Sequence, residues 1–292
     1  MPPIILALVA AVGYGVSDFL AGLATRRLHV ILVALVATLA ATAITLVGAT
    51  AAPVESIAPD ALAWGAASGL GTAFGGVMLY RGLGRGRMGV VAPVSALGAA
   101  VLPAVVGVAT GERPSTVAWL GVAIALPAIW LVAQPADGPE GPPVEPTGHR
   151  WFESDVVDGL LAGAGFALLF IGLDRAGSAA GLWPVVAGEV AAIALLAGVS
   201  VGGLALGSIP RERVDPAAVP SAIVAGLLGG IASTSYFLAT HDGLLSIVAV
   251  VASLYPAVTV LLAAVLLREP IGGRQLLGLA AAAVAIGCIV LA

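Results

Sequence analysis

Two acidic residues lie inside stretches of the sequence that are otherwise apolar. Asp18 follows the run IILALVAAV and precedes the first basic residue, Arg26, whereas Glu189 lies within LWPVVAGEVAAIALL. A charged side chain in the middle of a membrane helix costs about 3 kcal/mol on insertion scales, so it needs a partner, a water-filled space or a function. We interpret Asp18 as a group that lines a cavity and binds a solute or carries a proton. Glu189 is a second candidate for carrying a proton.

Tyr14 precedes Asp18 by four residues. In a helix this spacing places the hydroxyl and the carboxylate on one face, where both can contact the same ligand. The alternative for Asp18 is an interfacial position, in which it pairs with Arg26 or Arg27 or caps backbone amides of a neighbouring helix. The alternative for Glu189 is a structural role.

A cluster of hydroxyl groups adds to these candidates for substrate binding or coupling. Its members are Thr72, Ser95, Ser233, Ser235, Tyr236, Ser253 and Tyr255. Any one hydroxyl in a membrane helix often only bonds the preceding turn, so the cluster is stronger evidence than its members. Pro93, Pro127 and Pro256 are expected to interrupt the fourth, fifth and ninth apolar segments, and their freed carbonyls can line a cavity or mark a kink.

The composition indicates that these residues are carried by membrane-spanning helices. Of the 292 residues, 60% are hydrophobic and 10% charged, and the mean hydropathy is +1.10. A span needs roughly 20 apolar residues. The ten segments of this kind are about 3–22, 30–49, 61–81, 89–108, 115–134, 155–174, 183–206, 217–239, 244–266 and 273–291. A large soluble helical protein would show polar stripes, which these segments lack.

The ten segments divide into two groups of five. The connection between them, residues 135–154, is rich in proline and is predicted to be a linker without a fold of its own. Within the two halves, residues 1–134 and 155–292, the stretch 90–129 aligns with 247–286 at an offset of 157, which superposes Glu112 on Glu269 and the Leu-Gly pair ending at Gly121 on that ending at Gly278. Because each repeat has an odd number of spans, the second enters the membrane in the opposite sense. The predicted fold is an all-α membrane protein of ten helices in two inverted five-helix repeats, which is typical of carriers that work by alternating access.

The sequence resembles the EamA-type proteins of the drug/metabolite transporter superfamily, which have ten helices in two repeats. The motifs that carry the resemblance are YGVSDF from Tyr14, LYRGLGRGRMGVVAPVSAL from Leu79, GERPSTVAWLGVAIAL from Gly111, LLSIVAVVASLYPAVTVLLAAVLLREP from Leu244 and QLLGLAAAAVAIG from Gln275. The resemblance implies a multi-pass transporter of small metabolites in the inner or plasma membrane, often an exporter. The sequence departs from the family at Arg268, where a glycine often precedes the glutamate.

The expected function is therefore secondary transport of a small organic metabolite, amino acid or drug-like solute, with the proton as candidate coupling ion. A channel or a membrane scaffold is the alternative. An enzyme is not expected, because His29, His149 and His241 lie in loops and no metalloprotease or paired-aspartate motif is present. No cofactor and no metal site are expected. The lipid bilayer is the expected environment, and a homodimer is left open.

Charge excludes two further classes of activity and raises a question about orientation. The net charge is −4 and the chain has no lysine, so nucleic-acid binding and a P-loop ATP site are both excluded. Ten arginines lie in loops after odd-numbered spans and two in loops after even-numbered spans. The positive-inside rule then places both termini outside, whereas the resemblance implies cytoplasmic termini; we follow the resemblance.

Overall fold

The computed structural model describes residues 2–292 except 52–53, 55, 84–87, 135–149 and 206–214. Within these ranges the chain forms helices and no strand, which confirms the predicted all-α class. The helices are α1 (Pro3–Thr25), α2 (Val30–Ala51), α3 (Pro59–Leu83), α4 (Met88–Ala109), α5 (Thr116–Val132), α6 (Arg150–Arg175), α7 (Trp183–Ala205), α8 (Val219–Asp242), α9 (Leu245–Ala252), α10 (Tyr255–Leu266) and α11 (Gly273–Val290).

The helices have the lengths that a bilayer requires. Among the described residues, nine are long and apolar enough to span a membrane when α9 and α10 are taken as the single segment Leu245–Leu266. The shorter α5 has 17 residues, at the lower limit for a span. Its first turn is capped by Ser115, whose Oγ accepts a hydrogen bond from the Ala118 amide at 3.1 Å. The ten apolar segments of the sequence thus correspond to the eleven helices, with α9 and α10 sharing the ninth segment.

The three prolines expected to interrupt spans behave differently. The ninth segment is broken at Ser253–Leu254, just before Pro256, as predicted. The predicted interruptions at Pro93 and Pro127 are wrong, because α4 and α5 continue through them. A proline removes one backbone hydrogen bond and clashes with the preceding turn, but a helix that is packed on its neighbours tolerates this in a membrane.

The helices form two compact units, each built from both halves of the chain. The first comprises Met1–Ala73 and Leu168–Gly243. In this unit α1 packs on α8, and α2 packs on α7 and α8. A core of small and aliphatic residues lies where the end of α1 and the start of α2 meet the start of α8. It contains Ala24, Leu28, Val33, Ala218 and Ala222. Small residues allow the helix backbones to approach closely, which is how membrane helices gain packing energy.

The second unit comprises Phe74–Ala167 and Leu244–Ala292. In it α4 packs on α9, and α5 packs on α11. All eight residues of the half-helix α9 are buried, whereas α10, the other half of the same span, has no buried residue. The break at Ser253–Leu254 therefore separates a half that is enclosed by protein from a half that faces outward.

An ion pair joins the end of α3 to the start of α6 within the second unit. Arg81 Nε donates a hydrogen bond to Asp158 Oδ1 at 3.1 Å, and its Nη2 donates to the same oxygen. The Asp158 side chain is 1% exposed and the Arg81 side chain 46% exposed. The hydrogen bond to Asp158 raises the pKa of the Arg81 guanidinium above its already high ordinary value, so Arg81 stays charged at any physiological pH.

The unequal burial of this pair predicts unequal mutational effects. Arg81→Gln removes a charged donor from an almost fully buried carboxylate, and we expect it to lower the free energy of unfolding by about 2 kcal/mol. Asp158→Asn leaves Arg81 half in water and is expected to cost about 1 kcal/mol. Thermal unfolding in detergent measures both, with Arg274→Gln, an exposed arginine, as control. Equal losses for the two variants would contradict the argument from burial.

Arg268 occupies a strained backbone position just after α10. Among the described residues it is the one non-glycine residue with positive φ, at 57°. Helices commonly end in this left-handed conformation, and glycine adopts it without a steric cost. The backbone geometry thus explains why a glycine is common there in the family that the sequence resembles.

Candidate functional site

Three hydrogen bonds fix α1 against α8 in the first unit. Ser17 Oγ donates to the Ala225 carbonyl at 2.8 Å, and Ser221 Oγ donates to the Leu20 carbonyl at 2.9 Å. The third bond joins the Tyr14 hydroxyl to Ser233 Oγ at 3.1 Å. Side-chain hydrogen bonds between helices hold the register of a membrane helix pair. The face of α1 that carries Tyr14 is therefore held in one orientation.

Tyr14 also belongs to a row of aromatic rings. Its ring centroid lies 6.3 Å from that of Phe170, with the planes inclined at 55°, and Phe170 stacks on Tyr236 at 4.4 Å. Tyr236 is fully buried, and its hydroxyl lies 3.4 Å from the Phe170 carbonyl, to which it donates. Tyr14 is only half-buried, so it is the accessible end of the row.

Asp18 continues a face of α1 that turns away from the apolar surface. The exposed large apolar residues of the first half of α1 are Ile5, Val9 and Val12. Asp18 follows Val9 by nine residues, or two and a half turns, and so points to the opposite side. It lies in a row with Ala7, Ala11 and Tyr14, of which the two alanines are buried, yet Asp18 itself is exposed. The space in front of Asp18 is thus on the protein side of the helix, where water and not lipid is expected.

Glu189 lies on the protein side of α7. It shares a row with Val185, Ala192 and Leu196, which are all buried. Glu189 itself is half-buried, whereas Val190, one position further round the helix, is 54% exposed. A carboxylate among buried neighbours that keeps some accessibility borders a recess in the protein and not the lipid surface.

Tyr14, Asp18 and Glu189 all belong to the first unit. Both carboxylates are close enough to act electrostatically on the Tyr14 hydroxyl. Neither makes a hydrogen bond or ion pair with any residue that the structure describes. Arg27, one proposed partner of Asp18, has its Nη1 3.8 Å from Asp215 Oδ2. The two carboxylates are therefore available to a ligand.

The other predicted site residues are distributed between the two units. Three of the hydroxyls donate to carbonyls of their own helices, at 3.0, 2.9 and 2.8 Å: Thr72 to Ser68, Ser95 to Ala92 and Ser235 to Ile231. Ser253 is fully buried at the helix break, and Tyr255 is half-buried at the start of α10. Thr72, Ser233, Ser235 and Tyr236 belong to the first unit, and Ser95, Ser253 and Tyr255 to the second.

Sequence reasoning missed several residues that shape these sites. Ser17 and Ser221 tie α1 to α8, and Phe170 joins the two tyrosines, but a single serine or phenylalanine in a span carries no signal of its partner. Ser246 was also missed. Its hydroxyl and that of Ser253 are buried, without a hydrogen-bond partner among the described residues. They are seven residues apart and so lie on one face of the broken span.

Comparisons with known proteins agree with this architecture. No curated protein matches the sequence. A solved crystal structure superposes with a TM-score of 0.78 over 99% of this chain and 96% of its own, at 16% sequence identity, which is a likeness of fold. Residues 156–291 match the EamA-like transporter family. The chain is thus a multi-pass membrane protein, and its residues 156–291 are similar to the EamA-like transporter family of the drug/metabolite transporter superfamily.

Proposed function

We propose that the protein is a secondary carrier that exports a small organic metabolite, amino acid or drug-like solute by alternating access, in exchange for protons. The match of residues 156–291 to a transporter family supports the general class. Two further features support the mechanism: helix contacts that repeat when the two halves of the chain are exchanged, and the carboxylates of the first unit.

The observation that carries the proposal is a reciprocal contact between α5 and α11. Gly121 packs against Ile289, and Gly278 packs against Val132. Gly278 lies 157 residues after Gly121, and Ile289 lies 157 residues after Val132. The contact therefore maps onto itself when the two halves are exchanged, as contacts across a two-fold axis do. This supports two repeats of inverted orientation.

A second pair of contacts, in the first unit, joins helices that correspond when the halves are exchanged, although the partner residues Gly188 and Ala37 lie 151 residues apart and not 157. Gly69 of α3 packs on the backbone of Gly188 in α7, and Gly226 of α8 packs on the backbone of Ala37 in α2. Gly226 again follows Gly69 by 157 residues. Inverted repeats give a carrier two conformations that are open to opposite sides, because each repeat can adopt the conformation of the other.

The side chains favour solutes that are neutral or carry an amine. Tyr14, Asp18, Glu189 and Ser233 offer two carboxylates and two hydroxyls, and no arginine lies deep in any span to hold a phosphate. Without a P-loop the energy has to come from a gradient. A carboxyl group that meets water inside the protein can exchange a proton with either side, which supports proton coupling through Asp18 or Glu189.

Counterflow in proteoliposomes tests the proposal. Purified protein is first screened by thermal shift against amines, amino acids and neutral metabolites. For solutes that stabilise it, uptake of labelled solute is compared with and without excess unlabelled solute inside the vesicles. We expect saturable uptake that the internal solute accelerates and that an opposing pH gradient drives. Uptake that never saturates and ignores internal solute would identify a channel, and no uptake of any solute would reject transport.

A further inference from the structure

We propose that Asp18 and Glu189 divide the work of the carrier: Asp18 binds the ammonium group of an organic cation, and Glu189 carries the coupling proton. The inference rests on the proposed function, because it assigns a substrate class and two roles within that carrier. It follows from the depths of the two carboxylates, from their unequal enclosure and from the aromatic side chain that lies between them.

The two carboxylates lie at different depths in the membrane. Asp18 is seven residues before the end of α1 and Glu189 six residues after the start of α7, so each lies about 10 Å inside its helix end. Five spans separate those two ends, which therefore face opposite sides of the bilayer. In a hydrocarbon core of about 30 Å, the carboxylates differ in depth by roughly 10 Å. Asp18 is nearer to the side where α1 ends, and Glu189 is nearer to the side where α7 begins.

Tyr14 occupies the depth between them. It lies one turn deeper than Asp18, and its hydroxyl is under the electrostatic influence of both carboxylates. A tyrosine side chain on a helix points back toward the N-terminus, which for α1 is the direction of Glu189. The hydrogen bond to Ser233 fixes the hydroxyl in this position. Tyr14 thus separates a site at Asp18 from a site at Glu189.

The two sites differ in how much space they offer. Asp18 is exposed on the protein side of α1, next to the accessible ring of Tyr14. Glu189 is half-buried in a row of three buried apolar residues. A solute of several atoms needs the space next to the exposed carboxylate of Asp18, whereas a proton needs no such space. Enclosure thus assigns the solute to Asp18 and the proton to Glu189.

The surroundings select an organic cation for Asp18. On α8, which packs on α1, the titratable side chains are Tyr236, buried in the aromatic row, and His241 and Asp242 in the last turn; α2 has none. Arg26 and Arg27 lie beyond the end of α1. The ring face of Tyr14, one turn from an unpaired carboxylate, suits an ammonium group attached to an apolar or aromatic body, through charge pairing and cation–π attraction.

Two amines and one quaternary ammonium ion, together called the amines below, are paired with uncharged alcohols to test the substrate class: tryptamine with tryptophol, phenethylamine with phenethyl alcohol, and benzyltrimethylammonium with benzyl alcohol. We expect the amines to bind the wild-type protein at least tenfold more tightly than the alcohols in detergent. Asp18→Asn should remove this preference. Glu189→Gln should weaken amine binding less than Asp18→Asn does, and it should abolish the response of amine flux to a pH gradient. Asp60→Asn, which removes an exposed carboxylate at the start of α3, is the matched control and should keep wild-type values.

The outcomes separate this inference from the proposed function. If the protein exchanges a solute but prefers no amine to its alcohol, or if Asp18→Asn retains the preference, the cation site at Asp18 is rejected and the carrier stands. If Glu189→Gln keeps the pH response, or if Asp18→Asn loses that response while its amine binding is intact, the division of roles is rejected. Absence of exchange for every solute rejects the carrier itself.

Discussion

Gly69→Ala and Gly226→Ala are expected to destabilise the protein by about 3 kcal/mol or more each. A Cβ atom at Gly69 would overlap the backbone of Gly188, and one at Gly226 would overlap the backbone of Ala37. Since the atoms in the way are backbone atoms, neither contact can be relieved by a change of rotamer. The helices would have to separate and lose packing along their length. Thermal unfolding and the monodispersity of the detergent-solubilised protein measure the effect.

Gly198→Ala is the matched control for these two variants. Gly198 lies in α7, the helix that receives Gly69, and a Cβ atom there meets nothing within 4 Å. Each of the three substitutions gains the same helix propensity, about 1 kcal/mol in favour of alanine. The control is therefore expected to be neutral or stabilising. Similar behaviour of all three variants would mean that α3·α7 and α2·α8 are not closely packed.

The positions of the spans could be predicted from the sequence because the bilayer imposes one strong rule. A segment in lipid has to be apolar, helical and about 20 residues long, and this rule alone placed ten segments. Their ends were less accurate. The sixth span was predicted from residue 155, whereas α6 begins at Arg150. Polar residues can extend a helix beyond the hydrocarbon, so hydropathy does not show where it begins.

The candidate site was predictable only where it depends on local geometry. The spacing of Tyr14 and Asp18 placed them on one helix face, and the structure has them there. The bond between Tyr14 and Ser233 joins residues 219 positions apart, and no periodicity in the sequence identifies such a partner. The hydroxyls of Thr72, Ser95 and Ser235 were predicted as site residues, but each donates to a carbonyl of its own helix. A rotamer decides whether a hydroxyl bonds its own helix or faces a cavity, and the sequence does not encode it locally.

The role of Glu112 also depends on long-range packing. In the sequence it precedes the fifth span, where a role in tying the loop is favoured over substrate binding. The structure places its carboxylate on a different helix: Oε1 accepts from the Leu245 amide at 2.6 Å and Oε2 from the Ser246 amide at 2.9 Å. These amides begin α9, where the N-cap residue Leu244 provides no side-chain cap. A carboxylate in this place satisfies unpaired donors and complements the helix dipole.

Glu112→Ala is expected to cost about 3 kcal/mol, because it leaves two partly buried amides of α9 without their charged acceptor. At the site itself we expect faster hydrogen exchange of the Leu245 and Ser246 amides, which is measured together with thermal unfolding. Asp60→Ala, at an exposed position in the first turn of α3, is expected to change both values little.

The sequence repeat gives a matching prediction for Glu269. Glu269 follows Glu112 by 157 residues, and Met88 and Gly89 precede Leu245 and Ser246 by the same number. If the halves are equivalent, Glu269→Ala accelerates exchange at Met88 and Gly89 and leaves Leu245 protected. Faster exchange at Leu245 in that variant would mean that the two glutamates do not hold separate half-sites.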